Sequence, residues 1–361
     1  MAVGLVTKAW QAARSMDLDK PARRFTLLVS AVAYMSYIDP ARGEQMARKS
    51  KPPVPALSGA LRADLLSAAA EGLVDPNPDY ARVLLDEAER LVGRTSLAPR
   101  GLRLSTRAVA LVIIATQYAR LDQAMARALI AEAEKLGRES GDNQARRTSL
   151  LGEMAKALAT IDSARAVRLA DAMLPDRDGT YTTYVAIARH LLHKEPKTAH
   201  ALLVSALEGL SALPEPGDIQ GSTKREELLS RIIRLLAVLD PARAEQAVGG
   251  LTLPYPRVLA LSRLGGVLAP HDLARSRGYL DEAERITRSS SGPAADRSRG
   301  FATVAREMAP HDTARARALI AEAGKALAGI TDPYGRGIAS LHLAACGIGM
   351  TMPSSGYAAQ E

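Results

Sequence analysis

The chain has 361 residues, of which 47% are hydrophobic but only 4% aromatic, and it carries a formal net charge of +8. Its core must therefore be filled by Ala and Leu rather than by rings, which suits helices, and its densest apolar run, Ala108 to Ala115, is too short for a membrane span. One cysteine, Cys346, excludes an internal disulfide, and the first residues lack an apolar signal region, so a cytoplasmic location is expected.

In chain order, residues 1–20 read as a capping helix with Val3, Val6, Trp10 and Ala13 on one face. From residue 21 to residue 348 one pattern recurs around Asp39, Asn77, Asp122, Asp162, Glu195, Asp240, Asp272 and Asp312. Their spacing averages 39 residues, within the range of two-helix repeats. Before each anchor, apolar residues stand at −11, −8, −7 and −4, as in Leu151, Met154, Ala155, Leu158 or Leu261, Leu264, Gly265, Leu268. After it, position +4 is small (Gly43, Ala81, Ala126, Ala166, Ala199, Ala244, Ser276, Ala316) and +8 is apolar throughout. Position +11 is often Ala again, as in Ala88, Ala133 and Ala283. Both stripes have helical spacing. Asp or Asn at the anchor is a preferred N-cap, and Pro40, Pro78, Pro196 and Pro241 follow at the first helical position, where a missing N–H costs nothing. Pro214, Pro216 and Gly217 mark a hinge or insertion over 212–223. A closing helix is expected from Ile338 to about Leu343, and 349–361 read as a disordered tail.

A first helix patterned apolar-x-x-apolar-small-x-x-apolar, followed by a second patterned small-x3-large-x2-small, resembles the tetratricopeptide repeat over most of the chain. The period here is variable, the turn about one residue shorter, and no regular proline closes each repeat, so a HEAT-like label is the alternative. The Asp-x-Ala-Arg turns and Asp332-Pro333-Tyr334-Gly335-Arg336 also resemble degenerate helical repeats of bacterial signalling and regulatory proteins. The resemblance implies an all-α, right-handed α-solenoid of about eight two-helix repeats with terminal capping helices, working as a binding module rather than an enzyme.

Candidate chemistry is sparse. Cys346 reads as a core residue, and His271 and His311 as turn packing at equivalent repeat positions. His190, His193 and His200 cluster without the Cys or carboxylate set that would complete a zinc site, so no metal or cofactor is expected. The acidic runs Asp86-Glu87-Ala88-Glu89, Glu132-Ala133-Glu134 and Asp281-Glu282-Ala283-Glu284 repeat, which suits solvated helix faces better than an active site needing unique neighbours.

The tetratricopeptide resemblance implies that position −6 faces a concave groove. That column reads Ala33, Glu71, Thr116, Lys156, Arg189, Arg234, Gly266, Arg306, beside mostly small residues at −10 and −3. Lys156, Arg189, Arg234 and Arg306 are therefore candidates for holding a protein partner through an acidic peptide or C-terminus. The alternative is a nucleic-acid binder, in the extreme a HEAT-like DNA glycosylase, using a basic loop edge that includes Arg94, Arg100, Arg103, Arg146 and Arg147. Against it stand one Trp and two Phe as stacking platforms.

Overall fold

The structure, a computed structural model, describes residues 2–16, 21–50, 58–93, 100–139, 144–173, 177–213 and 219–347. Among these, all regular structure is helical, with eighteen α-helices and no strand. The expected hinge prolines and the tail from 349 lie outside the described residues, as do 17–20 after the first helix.

The chain divides into two compact units. The first is built from Met1–Thr180 together with Asp332–Ala344. It contains α1 (Ala2–Ser15), α2 (Pro21–Ile38), α3 (Pro40–Lys49), α4 (Ser58–Glu71), α5 (Pro78–Val92), α6 (Arg100–Leu121), α7 (Gln123–Glu139), α8 (Gln144–Leu158) and α9 (Ser163–Asp171). It also takes the start of α10 (Arg177–Leu191) and most of α18 (Pro333–Gly347). Helices α2, α4, α6 and α8 pack in succession, while α3, α5 and α7 each pack on the helix that follows them. The closing helix is longer than expected, and Asp332 caps it as the anchors cap theirs, accepting from the Gly335 N–H. Gly337 places it directly on Leu27 of α2, where a Cβ would collide with the leucine side chain, and Arg23 lies 5.6 Å over the Tyr334 ring. Helix α1 also packs on α2, burying Val6, Ala9, Trp10 and Ala13, and the Trp10 indole N–H donates to Ser50 Oγ at 2.9 Å.

The second unit is built from Tyr181–Thr331 with residues 345–347. It holds the rest of α10, then α11 (Pro196–Ser211), α12 (Ile219–Leu239), α13 (Pro241–Val248), α14 (Pro254–Leu268), α15 (Leu273–Ser289), α16 (Ala294–Met308) and α17 (Thr313–Ala328). Here α12, α14 and α16 pack in succession, with α11, α13 and α15 each set against the next helix.

Local chemistry explains where the helices begin. Asp39, Asn77, Asp122, Asp162, Asp240, Asp272 and Asp312 each accept a hydrogen bond from the amide three residues on, at 2.9–3.2 Å. Glu195 departs from the expectation. It occupies the cap position without a side-chain cap bond, and Thr198 Oγ1 donates to its carboxylate instead. One extra methylene carries a Glu carboxylate past the amides that Asp reaches. The start of α14 has no cap of its own. Glu226 of α12, 8% exposed, supplies it by accepting from the amides of Thr252 and Leu253 at 2.9 and 2.6 Å.

The periodic columns become the core. All eight +4 residues are buried, and all the +8 residues except Ile320, whose place is taken by Leu319. Small residues serve close approach: a Cβ on Gly43 would lie 2.7 Å from Ser36 Cα, and one on Gly265 2.7 Å from Leu280 Cγ. The +8 leucine thus seats on the −7 glycine of its partner helix, and burying each such leucine contributes about 1.5–3 kcal/mol. Buried serines tie the helices further, with Ser276 Oγ donating to Gly265 O at 2.7 Å and Ser230 Oγ to Pro256 O at 3.0 Å.

The repeated acids are not merely solvated. Arginine three residues after an anchor reaches back to the preceding second helix: Arg165 to Glu134, Arg243 to Glu208, Arg275 to Glu245, and Arg315 to Asp281 and Glu284. Within a pair, Arg107 binds Glu132 and Arg257 binds Glu282, at equivalent positions of their pairs.

Candidate functional site

The four cations expected to share a wall are distributed as follows. Lys156 lies on α8 in the first unit, three-quarters buried and bonded to Glu153 one turn back. Arg189, near the end of α10, is exposed. Arg234 and Arg306 both belong to the second unit, on α12 and α16, and their charges act on one another. Two residues of the sequence column, Arg234 and Arg306, thus lie within electrostatic reach of one another, and Arg263 and Tyr255 of α14 and Glu307 of α16, which the column does not contain, stand with them.

Glu307 is the pivot of this cluster. Its side chain is only 8% exposed, and Oε1 accepts from Arg306 Nε at 3.1 Å and Nη2 at 2.7 Å. Oε2 accepts from Arg263 Nη1 at 3.4 Å. The carboxylate rests against Gly266, where a Cβ would run into Oε2. Gly266 looks like a gap in a basic column, and is instead the space that a buried carboxylate occupies.

Arg234 is treated differently. It forms no hydrogen bond or ion pair with a described residue, and its Nε is buried without an acceptor. Burial, followed by the like charge of Arg306, pulls its guanidinium down to about 10, with Arg263 pushing the same way and Glu307 opposing. It remains a cation at neutral pH, but one whose surroundings disfavour the charge. An orphaned buried donor of this kind normally costs about 1–3 kcal/mol, more when charged. The neighbouring Arg257 and Arg299 also bury an Nε without an acceptor, but each is ion-paired through its Nη2: Arg299 with Asp296, beside the Tyr255 ring at 4.3 Å, and Arg257 with Glu282. Burial raises the Tyr255 hydroxyl above its ordinary value, so it is neutral. Burial likewise pushes the Cys346 thiol up to about 11, which keeps it protonated and unreactive, as its core reading requires.

The small residues at −10 do not floor an open groove. Ser230, Ser262 and Ala302 are 0–1% exposed because the first helices pack on one another there, as the Ser230 to Pro256 bond records. Of the proposed basic loop edge, Arg94 lies outside the described residues, as do the side chains of Arg100, Arg103, Arg146 and Arg147. Other loop cations are occupied: Arg48 by Glu44 and Glu87, Arg288 by Glu284, and Arg297 by the carbonyl of Gly292. His200 lies 3.3 Å from Asp240, and the described residues contain no group of three metal-ligating side chains. Nor is any described helix long and apolar enough to cross a membrane. An open hollow on α15 and α17, lined by Asp281, Glu284, Arg285, Arg288 and Arg315, pairs its own acids with its own cations.

Compared with known protein families, curated proteins and solved structures, the chain matches none.

Proposed function

We propose that this chain is a non-catalytic helical-repeat scaffold, probed from its second unit by an acidic segment of a protein partner that docks on Arg234, Arg263 and Arg306. On this reading its helix pairs form a right-handed α-solenoid of about eight tetratricopeptide-like repeats, regulatory rather than enzymatic, and its periodic surfaces exist to hold something. The observation that carries the reading is Arg234: a half-buried cation whose Nε is buried with no acceptor among the described residues, beside two more guanidiniums that share one carboxylate. Arginine suits such a role because its planar fork matches carboxylate and phosphate oxygens. The nucleic-acid reading is less well supported, because the described cations of the loop edge are largely occupied by acids or carbonyls of the chain itself.

The test is titration of the full chain into a fluorescein-labelled decapeptide of Asp and Glu, with its Lys counterpart as control. The acidic peptide is expected to bind and the basic one not. Arg234→Glu should weaken binding at least tenfold, and an unchanged affinity removes the docking site from the account.

A further inference from the structure

Helix α18 has no side left for water over most of its length. Residues Ala339 to Cys346 are all buried, and eight successive residues take the chain more than twice around the helix axis. A helix that ends an open array keeps a polar outer face, whereas one buried all round has neighbours on every side. Helix α2 has the same character. Residues Phe25 to Ser36 are buried without a break, although the described chain offers no earlier first helix to flank it.

Helices α1, α3 and α4 pack on α2, and α18 lies on it as well. A Cβ on Gly337 would stand 2.9 Å from Leu27 Cδ1 and 3.2 Å from its Cγ, and Leu27 is 0% exposed, so it has nowhere to retreat. One turn earlier on both helices, Arg23 covers the Tyr334 ring at 5.6 Å. The two contacts advance together, so α18 and α2 run parallel. Successive first helices do the same: between α12 and α14, Glu226 meets Thr252 and Ser230 meets Pro256. Residues Asp332–Ala344 belong to the same compact unit as α2. From the parallel contacts and the all-round burial of both helices we infer that α18 is a strap of the first unit: it takes the flank of α2 that a preceding first helix would cover, and its release bares that flank. Asp332, accepting from the Gly335 N–H, gives the strap a helix start of its own that owes nothing to α2. The seat is made by fit, since Gly337 lets the two backbones approach and Leu27 fills the space between them. The inference does not depend on the docking reading above.

The experiment uses the full chain and reads amide hydrogen–deuterium exchange by mass spectrometry. Gly337→Leu drives a side chain into the enclosed Leu27 and is expected to speed exchange across Phe25–Ser36 at least tenfold. Gly278→Leu, on α15 where a Cβ meets nothing within 4 Å, should leave α2 within twofold of wild type. Faster exchange confined to α18 would overturn the inference, because α2 would then keep its cover without the strap. A uniform rise across all helices is loss of the fold, and a second measurement then decides. Leu27→Cys with Gly337→Cys, in a Cys346→Ala background, trades bulk at 27 for bulk at 337 and brings the two Cβ atoms near the about 3.5–4.5 Å that a disulfide spans. Oxidation followed by non-reducing electrophoresis is expected to show a cross-link within one chain. A cross-link between two chains gives the flank to a second copy, and no cross-link denies the contact; either result overturns the strap.

Discussion

Arginines on the second helices and arginines on the first helices of the second unit have opposite fates. Arg243, Arg275 and Arg315 each reach a carboxylate on the preceding second helix, so their charge is spent on joining neighbours. Arg263 and Arg306 share the single carboxylate of Glu307, and Arg234 beside them has no acceptor among the described residues. Residue type does not separate the two groups, since both are arginines on amphipathic helices of a basic chain. What separates them is the ratio of acids to bases within reach, and only an excess of one sign is available to a ligand.

That contrast can be broken most severely at Gly266. Gly266→Ala places a methyl where the Glu307 carboxylate rests, and the far end of that side chain must move away from Arg263 and Arg306. Overpacking together with loss of a buried pair should cost about 1–3 kcal/mol in urea unfolding, with weaker binding of the acidic decapeptide. A cost below a few tenths would mean that the carboxylate has no fixed seat. A middle-sized effect is expected at the caps. Asp272→Ala should cost about 1 kcal/mol, whereas Glu195→Ala, which removes no cap bond, should cost only a few tenths. Equal costs at the two positions would contradict the distinction drawn between them. The smallest effect is expected on the second-helix face: Arg315→Gln, though it breaks contacts to Asp281 and Glu284, should change stability by about 0.2–1 kcal/mol because the arginine is 40% exposed.

Much of the fold is legible in the sequence because its determinants are local or periodic. An Asp followed by a helix is a cap whatever lies elsewhere, and small residues at +4 with large ones at +8 announce a face before its partner is known. Glu195 fails for a reason of reach that composition does not reveal. The acidic runs read as partly solvated faces near Arg or Lys, but which arginine each meets is not legible, because the partner lies one pair away, as with Glu134 and Arg165, 31 positions apart. At the candidate site, the juxtaposition of Arg234 and Arg306 is legible because they occupy the same register position of their repeats. That of Arg263 and Glu307 is not, since they stand in different columns and meet only across 44 positions. Gly266 carried the one available signal: a glycine interrupting a basic column marks a place where something bulky and charged needs room.

The account turns on whether Arg234 is kept despite its cost. Replacing it with methionine removes a half-buried cation whose Nε is unsatisfied, so thermal unfolding followed by circular dichroism, without added anions, should find Arg234→Met more stable than wild type by about 1 kcal/mol. Saturating acidic decapeptide should raise the melting temperature of wild type and leave that of the variant unchanged. A variant less stable than wild type, together with a wild-type chain indifferent to the probe, would show that Arg234 belongs to the packing and contradict the site.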